Sequence, residues 1–443
     1  MMRAESKNLE KAFWRLSKYI ESNTIHYVEN CISCGICYEI CPAYHLDHKY
    51  APAPIGEWFR RFYRRQLNPI ARVLGKLAHA YPLTIENLMK AREYVYRCTN
   101  CGACYMVCAA GIDSGHLALL TKSLINDAGL TPQVLKTLNE MELKMTYLTS
   151  KVQDLYGKLI EEIKKIAGGE AHINEPDRSV YIPISVCDLV FAKDVIISTI
   201  RILEKLGITW TIPDVPVGIR PPMGYVIGDF TSYAALIRRI YLNAKELNCR
   251  IILVTDCGYM YPALRFEGPY IAEIEQPCKI LSIVELLEDY AERGLLHLRK
   301  IADVATWHDP CMLMRRGGVE YPHAILEEST FFTKLKWSGK YSRCCGGGSH
   351  MFFLQEEVAK ALSEVLEVDL VKMLEKDTFA RKIAEFGYEM AKHRAQEIIE
   401  NGPKIVITAC TSCIFMLRKA ISESTMPFIE VKHLAEFVAK NML

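Results

Sequence analysis

The chain has 443 residues, enough for about three domains of about 150 residues each. Its formal net charge is +2 with 24% charged residues, which argues against a general binder of polyanions, so no nucleic-acid partner is expected. Seventeen cysteines would suit a secreted disulfide scaffold only in a much shorter chain. The first ten residues lack the apolar stretch of an export signal, and no window of about twenty uncharged apolar residues could span a bilayer. We therefore expect a cytoplasmic protein, at most peripheral to a membrane.

Residues 1–170 predict a helical domain. The pattern at 9–20 is amphipathic, Thr84 is a plausible N-cap for a helix over 84–96, and 151–165 reads as a charged helix. Residues 58–65 interleave arginines with aromatic residues. That segment is either a helix packed into the core or an interface with a membrane partner or anionic headgroups.

Two cysteine runs in this domain share the spacing C-x2-C-x2-C-x3-C, which wraps 4Fe-4S cubanes in two-cluster ferredoxins. The runs are Cys31, Cys34, Cys37, Cys41 and Cys98, Cys101, Cys104, Cys108. Three thiolates spaced by two residues can follow a tight loop around one cubane, while the fourth points toward the partner cluster. We therefore assign Cys31, Cys34, Cys37 and Cys108 to one 4Fe-4S cluster, and Cys98, Cys101, Cys104 and Cys41 to the other. Zinc knuckles or disulfides would not need this spacing twice.

From residue 180 onward, short apolar runs alternate with helical stretches, which predicts α/β layering. Residues 180–295 and 300–443 show the same features in the same order: a strand ending at a cysteine, a glycine after a loop, a second strand ending at a cysteine, and a helix. We therefore interpret the two segments as an internal repeat. The expected strands are 180–186 ending at Cys187, 250–256 ending at Cys257, 304–309 ending at Cys311, and 404–409 ending at Cys410. Helices are expected at 283–290 and 434–440. The second half also carries an extra segment, expected to be helical around 361–387.

A second set of thiols lies in the second half at strand ends and loops, where α/β folds gather ligands. Its members are Cys311, Cys344, Cys345, Cys410 and Cys413. Five thiols exceed the four that a cubane needs, which predicts a non-standard cluster or a reactive thiolate beside a cluster. A phosphate loop is disfavoured, because Met351 occupies the third glycine position of G-x-G-x-x-G. A structural zinc site at Cys410 and Cys413 stays an alternative.

The motifs His308-Asp-Pro-Cys311, Cys344-Cys-Gly-Gly-Gly348 and Cys410-Thr-Ser-Cys413 resemble the cysteine-rich CCG domain of heterodisulfide-reductase-type proteins. With the upstream runs, the arrangement is similar to the D subunit of membrane-bound heterodisulfide reductase and to the K subunit of the sulfite-reductase-associated membrane complex. The resemblance implies an α+β multidomain protein. It has a helical ferredoxin domain with two 4Fe-4S clusters (1–170), a degenerate CCG-type repeat (180–295) and an intact CCG repeat with a non-standard 4Fe-4S cluster (300–443).

The first repeat has lost its cysteine pair, since Pro222-Met223-Gly224 stands where the second repeat has Cys344-Cys345-Gly346. Cys187 and Cys257 are therefore interpreted as vestigial, and Cys249 and Cys278 as small buried hydrophobes.

Several side chains near the five cysteines could serve the chemistry. His308, Asp309 and His350 could protonate a leaving thiolate, and we take His350 as the catalytic candidate. Arg315, Arg316 and Arg343 either hold an anionic substrate or a partner's carboxy terminus, or form solvated surface.

The leading functional hypothesis is an iron-sulfur oxidoreductase subunit that reduces, or oxidises, a disulfide or trisulfide at the five-cysteine site. The substrate would be a small thiol/disulfide protein or a low-molecular-weight disulfide. An integral-membrane cytochrome b partner would couple it to membrane quinol and hold it at the membrane. The alternative is the electron-transfer subunit of a flavin-linked glycolate, lactate or glycerol-3-phosphate dehydrogenase, whose relatives usually keep cysteines in both repeats. A third class is a non-catalytic scaffold that binds a small thiol protein.

Overall fold

A computed structural model describes residues 2–20, 22–219, 222–256 and 258–443. Within these ranges the protein combines helices with two small parallel sheets. No described helix is both long enough and apolar enough to cross a membrane.

The amino-terminal region is helical, as the sequence predicts. Its helices are α1 (Met2–Leu16), α2 (Ser22–Glu29), α3 (Pro42–Leu46), α4 (Pro52–Leu67), α5 (Pro69–Leu74), α6 (Ile85–Val95), α7 (Ala103–Val107), α8 (Ser114–Asp127), α9 (Gln133–Lys144) and α10 (Ser150–Ile166). Thr84 caps α6 as expected, its hydroxyl accepting the Asn87 N–H at 3.3 Å. Helix α8 lies at the centre, against α1, α4 and α6. It is buried on nearly every side, which explains its long apolar stretches.

Residues 58–65 lie in helix α4, and their burial distinguishes a core helix from an exposed interface. Trp58, Phe59 and Phe62 are buried, so the aromatic residues belong to the core and not to an exposed interface. Arg60 is buried with them.

Two four-stranded sheets follow, and every pairing in them is parallel. The strands are β1 (Val180–Tyr181), β2 (Trp210–Thr211), β3 (Ile251–Val254), β4 (Lys279–Ser282), β5 (Val304–Trp307), β6 (Phe331–Phe332), β7 (Ile405–Thr408) and β8 (Glu430–His433). The first sheet has the order β2-β1-β3-β4 and the second β6-β5-β7-β8. Each half thus has the same strand order.

The strands are shorter than the sequence suggests, and proline explains one of the ends. The strand expected over 180–186 stops at Tyr181, because Pro183 has no N–H to continue the ladder. Ser185 then caps a helix in a capping box with Asp188. As a result, Cys187 lies in a first helical turn and not at a strand end, which corrects the prediction.

The remaining helices surround the sheets. They are α11 (Val186–Phe191), α12 (Lys193–Lys205), α13 (Met223–Ile227), α14 (Phe230–Glu246), α15 (Met260–Pro262), α16 (Gly268–Ala272), α17 (Ile283–Glu292), α18 (His323–Ser329), α19 (Glu356–Leu366), α20 (Leu370–Lys376), α21 (Thr378–Asn401), α22 (Thr411–Ser422) and α23 (Leu434–Asn441). The extra segment of the second half is helical, as expected, and forms α19 to α21. A π-helical turn, Met312–Arg316, follows Cys311, and such turns often mark functional sites.

The loop carrying the cysteine pair passes very close to α21. Gly346 has a φ of +78°, and a Cβ there would collide with the carbonyl oxygen of Gly387. Two features therefore require glycine at this position: the left-handed backbone conformation and the close approach to α21.

We expect Gly346→Ala to lower the thermal unfolding midpoint of the anaerobically purified protein more than Gly402→Ala. Gly402 has a similar φ of +65° but open space where its Cβ would be. Both variants lose about 1–2 kcal/mol from the left-handed backbone, and the collision adds about 1–3 kcal/mol at Gly346. Equal midpoints for the two variants would contradict the close approach.

Candidate metal centres

The eight cysteines of the two runs surround two separate cavities in the helical region. Cys31, Cys34, Cys37 and Cys108 line the first cavity. Cys41, Cys98, Cys101 and Cys104 line the second. Each cavity therefore takes three cysteines from one run and the last cysteine of the other.

The local backbone explains how each run bends around its cavity. Gly35 and Gly102 hold the same place in the two runs, and both adopt positive φ, +84° and +74°. Each glycine turns the chain tightly before a short helical turn begins. The fourth cysteine of each run then comes after that turn and lines the other cavity.

The donor sets fit 4Fe-4S cubanes. Burial raises the pKa of Cys37 to about 11 and that of Cys98 to about 11, so these thiols need a metal to become thiolates at neutral pH. Metal coordination deprotonates a thiol outright. Arg60 lies beside Cys31 and Cys37. Burial lowers its pKa, whereas the nearby Cys31 favours its charged form. The guanidinium is thus in place to balance the negative charge of a four-thiolate site.

The five cysteines of the second half come together between β5 and β7, which are neighbours in the sheet. All five are buried, with at most 7% of any residue exposed. Cys311 follows β5, Cys410 is the N-cap of α22, and Cys413 lies in the first turn of α22. The Sγ atoms of Cys345 and Cys413 are 3.2 Å apart.

Hydrogen bonds between thiols connect this site and shift its pKa values. Hydrogen bonds from Cys344 and Cys413 hold the pKa of Cys345 well below its ordinary value despite burial. Conversely, the pKa of Cys413 is raised because its proton is shared with Cys345 and Cys410. Cys345 is therefore the sulfur at which the site most readily holds negative charge.

The second cavity lies next to the five-cysteine site. The thiol of Cys101 neighbours that of Cys344, and this interaction together with burial raises the pKa of Cys101 well above its ordinary value. Cys101 thus belongs to a ferredoxin-type cavity and also touches the cysteine pair of the other region.

Two arginines hold the two regions together here, Arg315 buried and Arg316 partly buried. Arg315 donates from Nε to the carbonyl oxygen of Cys101 and from Nη1 to that of Ser342, both at 2.6 Å. Arg316 pairs with Asp113 at 2.8 Å and donates to Asn100 Oδ1 at 2.9 Å. Both arginines bind protein groups, so they do not form the solvated surface considered from the sequence.

The two histidines of interest have different surroundings. His350 is fully buried, and both of its ring nitrogens have partners: Nδ1 accepts from Lys122 Nζ at 3.1 Å, and Nε2 donates to the Tyr96 carbonyl at 2.6 Å. His308 instead has a ring nitrogen within 4.8 Å of the sulfurs of Cys345 and Cys413. Burial and the nearby Arg394 lower the pKa of His308 to about 3. The catalytic role of His350 stays a prediction, and the histidine that the fold brings to the thiols is His308.

The first half also reaches the site. Asp256 accepts the Thr411 N–H at 2.6 Å, next to Cys410. Sequence reasoning missed this contact, because it depends on how the two halves pack. Cys187 and Cys249 are buried and Cys278 partly so, whereas Cys257 lies outside the described residues.

In the first half, a carboxylate from the helical region binds the loop that precedes α13. Glu142 of α9 accepts the N–H groups of Ile219 and Met223, each at 2.8 Å. Met223 stands in the sequence position that corresponds to Cys345. The loop is thus held by hydrogen bonds to a carboxylate.

Comparison with known proteins agrees with this arrangement. Residues 27–112 match the family model of a 4Fe-4S dicluster domain, and residues 350–418 match that of a cysteine-rich (CCG) domain. An Hdr-like menaquinol oxidoreductase iron-sulfur subunit 2 of Archaeoglobus fulgidus is 25% identical over 73% of this chain and 68% of its own length. The D subunit of the dihydromethanophenazine:CoB–CoM heterodisulfide reductase of Methanosarcina acetivorans is 25% identical over 72% of this chain and 78% of its own length.

A further relative carries a different name. The B subunit of the fumarate reductase (CoM/CoB) of Methanothermobacter marburgensis is 21% identical over 93% of this chain and 72% of its own length. Together the matches confirm the resemblance predicted from the motifs. The chain therefore carries a 4Fe-4S dicluster domain and a CCG domain, with two 4Fe-4S clusters and a CCG-domain cluster, and it resembles the heterodisulfide reductase D subunits.

Proposed function

We propose that this protein passes single electrons through its two 4Fe-4S clusters to the five-cysteine site, where a disulfide or trisulfide substrate is reduced or, in the reverse direction, oxidised. The observation that carries the proposal is the contact between Cys101 and Cys344. It places a sulfur of the second ferredoxin-type cavity beside the cysteine pair.

The proposal assigns ligands as follows. Cys31, Cys34, Cys37 and Cys108 hold the first cubane, Cys41, Cys98, Cys101 and Cys104 hold the second, and Cys311, Cys344, Cys345, Cys410 and Cys413 hold the third, non-standard cluster. When bound, the cubanes supply one electron at a time, and the third cluster lets a reaction that needs two electrons proceed in one-electron steps. Reduction of a disulfide takes two electrons and two protons and yields two thiols.

The protein's own residues prepare this chemistry by excluding water and fixing charge. The five thiols are buried, so a half-reduced sulfur is kept away from solvent. Burial by itself would lower the pKa of Arg315, but nearby Cys101, Cys311 and Cys344 raise it. The cation therefore stays charged between the two cysteine sites and favours electron arrival at either one.

A cavity next to this site offers a place for a small substrate. It measures about 420 Å³ and is lined by Trp307, Asp309, Met314, Lys334 and Lys340, among others. That volume lies within the usual range for small-molecule sites. None of the five cysteines lines the cavity, but its lining residues Asp309 and Met314 flank Cys311 in the chain. The lining carries two lysines and two acidic residues, Asp309 and Glu320, so it favours a polar substrate.

We further propose that residues 180–295 are a degenerate CCG-type repeat and residues 300–443 the intact one, following a ferredoxin domain of residues 1–170. The shared strand order of the two sheets supports this division. The Glu142 carboxylate accepts the N–H groups of Ile219 and Met223. This contact supports the proposal that the first repeat holds no cluster. Its role is then to pack against the second repeat and to supply Asp256 to the loop beside Cys410.

An integral-membrane cytochrome b partner is the proposed source of electrons. The segment 67–77, which follows α4, supports a partner surface, because Ile70, Val73 and Leu77 are 72–86% exposed. Arg72 and Lys76 lie between them, and no acidic residue occurs from 58 to 85. An apolar surface with basic neighbours suits a partner at an anionic membrane face.

A second function is favoured by the relative named as a fumarate reductase (CoM/CoB), whose B subunit matches 93% of this chain. In that case the chain would serve as the electron-transfer subunit of a flavoprotein, as in the flavin-linked dehydrogenases considered from the sequence. A flavoprotein that co-purifies in place of a b-type cytochrome would favour this function.

Iron content tests the cluster assignment. Thirteen cysteines in three sites predict three 4Fe-4S-type clusters and roughly twelve irons per chain. Iron analysis after anaerobic purification, with redox-titrated EPR, measures this directly. About eight irons without a third signal would remove the five-cysteine cluster.

Cys345→Ala tests where the substrate reacts. We expect the wild type to oxidise reduced viologen with a panel of disulfides that includes the CoB–CoM heterodisulfide. In Cys345→Ala this turnover should be lost while the EPR signals of the two cubanes still appear on reduction, because the variant removes the sulfur that most readily holds charge. Cys249→Ala, a buried cysteine outside the three sites, is the control. Full turnover in Cys345→Ala would refute the catalytic assignment.

The partner surface is tested by replacing its apolar side chains. The triple variant Ile70→Ser, Val73→Ser, Leu77→Ser should co-purify with much less b-type haem, measured by its reduced absorption spectrum. In a matched control, serine replaces three other exposed apolar residues that lie outside the segment 67–77, namely Leu295, Phe331 and Phe428. Equal haem in both variants would show that the segment does not contact the cytochrome.

A further inference from the structure

A histidine beside the five-cysteine site has a buried ring nitrogen without a partner. His308 follows β5 and is 1% exposed. Its Nε2 is buried and makes no hydrogen bond to the part of the protein that the structure describes. A ring nitrogen of the same residue lies within 4.8 Å of the sulfurs of Cys345 and Cys413. Buried polar groups are almost always paired, so this nitrogen indicates an interaction with the contents of the site.

Arg394 determines which ring nitrogen of His308 carries the proton. Its Nε donates to His308 Nδ1 at 3.1 Å. A guanidinium can only donate hydrogen bonds, so Nδ1 accepts and has no proton. A neutral imidazole in this position must therefore carry its hydrogen on Nε2.

Arg394 is itself held firmly in that orientation. It is fully buried. Its Nη1 donates to Glu397 Oε2 at 2.7 Å and to the Trp337 carbonyl at 2.9 Å. Glu397 also accepts the Trp337 N–H at 2.8 Å. With this network in place, the guanidinium cannot turn away and leave Nδ1 free to take the proton.

We propose that His308 is a positioning residue that donates its Nε2–H to a sulfur at the Cys345 and Cys413 end of the site, and that it is not an iron ligand. The inference rests on the proposed cluster at these cysteines. Bonding of Nε2 to iron would require loss of its proton, which would place an imidazolate among thiolates of like charge. The five cysteines also provide sulfur ligands enough without it.

A hydrogen bond to a cluster sulfur has a measurable consequence. It stabilises the reduced state, which carries more negative charge, and so raises the reduction potential. His308→Leu should therefore make one-electron reduction of this cluster about tenfold less favourable, a fall of about 59 mV in its midpoint potential. His308→Gln, whose amide both accepts and donates, should restore most of the wild-type potential.

The experiment uses the intact chain with its clusters, purified anaerobically, and needs no substrate. ENDOR of the reduced site in the wild type should show only the weak coupling of a nitrogen hydrogen-bonded to sulfur. Redox-titrated EPR then gives the potentials of His308→Leu, His308→Gln and a control, His172→Gln. The His172 ring packs against Trp210 and is bonded to Glu175, and neither is part of the five-cysteine site. Iron content is measured for each.

Three results would overturn the proposal. They are the strong coupling of an iron-bound nitrogen in the wild type, an unchanged potential in His308→Leu with full iron, and loss of about four irons in both His308 variants. None of these measurements depends on turnover, so the hydrogen bond can be established even if no disulfide in the panel reacts. A lack of reaction with every disulfide would count against the proposed function, but not against the hydrogen bond.

Discussion

Arg315 binds two loops that the sequence separates by more than two hundred residues. Its Nε and Nη1 donate to the carbonyl oxygens of Cys101 and Ser342, beside the neighbouring thiols of Cys101 and Cys344. Because the arginine holds carbonyl oxygens from both loops, the loops cannot separate without leaving a buried cation unpaired, which is costly. The electron path proposed between the two cysteine sites thus follows the same interaction that holds the two regions together.

Burial has two opposite effects on these thiols, and the protein uses both. In the helical region, burial raises the pKa values of Cys37 and Cys98 and so makes each cavity dependent on metal. At the cysteine pair, hydrogen bonds from neighbouring thiols outweigh burial and lower the pKa of Cys345. The five-cysteine site thus combines thiols of raised pKa, such as Cys413, with one of lowered pKa, Cys345.

Much of this arrangement follows from local sequence. Cysteine spacing, the cap at Thr84 and the periodicity of α10 are set by near neighbours in the chain, and each appears where expected. The crossed grouping of the eight cysteines also follows from spacing alone, and the cavities have the same grouping.

Contacts made by tertiary packing could not be predicted from the sequence. His308 and His350 both lie near cysteines in the chain, and only the fold shows that Lys122 and Tyr96 bind both ring nitrogens of His350. Arg315 and Arg316 look like free charges in the sequence for the same reason, since their partners Cys101 and Asp113 are far away in the chain. The end of β1 can be read from Pro183, but the apolar run around it gives the stronger signal.

The two halves place a glycine in the same kind of close contact. In the second half, Gly346 lets the cysteine loop lie against α21. In the first, Gly224 makes an equally close approach, since a Cβ there would collide with the backbone of Tyr233, although Met223 precedes it. Close packing therefore explains the glycine in both loops, whether or not a cysteine precedes it. Under the proposal that the first half is a degenerate repeat, only the metal requires the cysteine pair, and in the first half Glu142 accepts the N–H groups of Ile219 and Met223 instead.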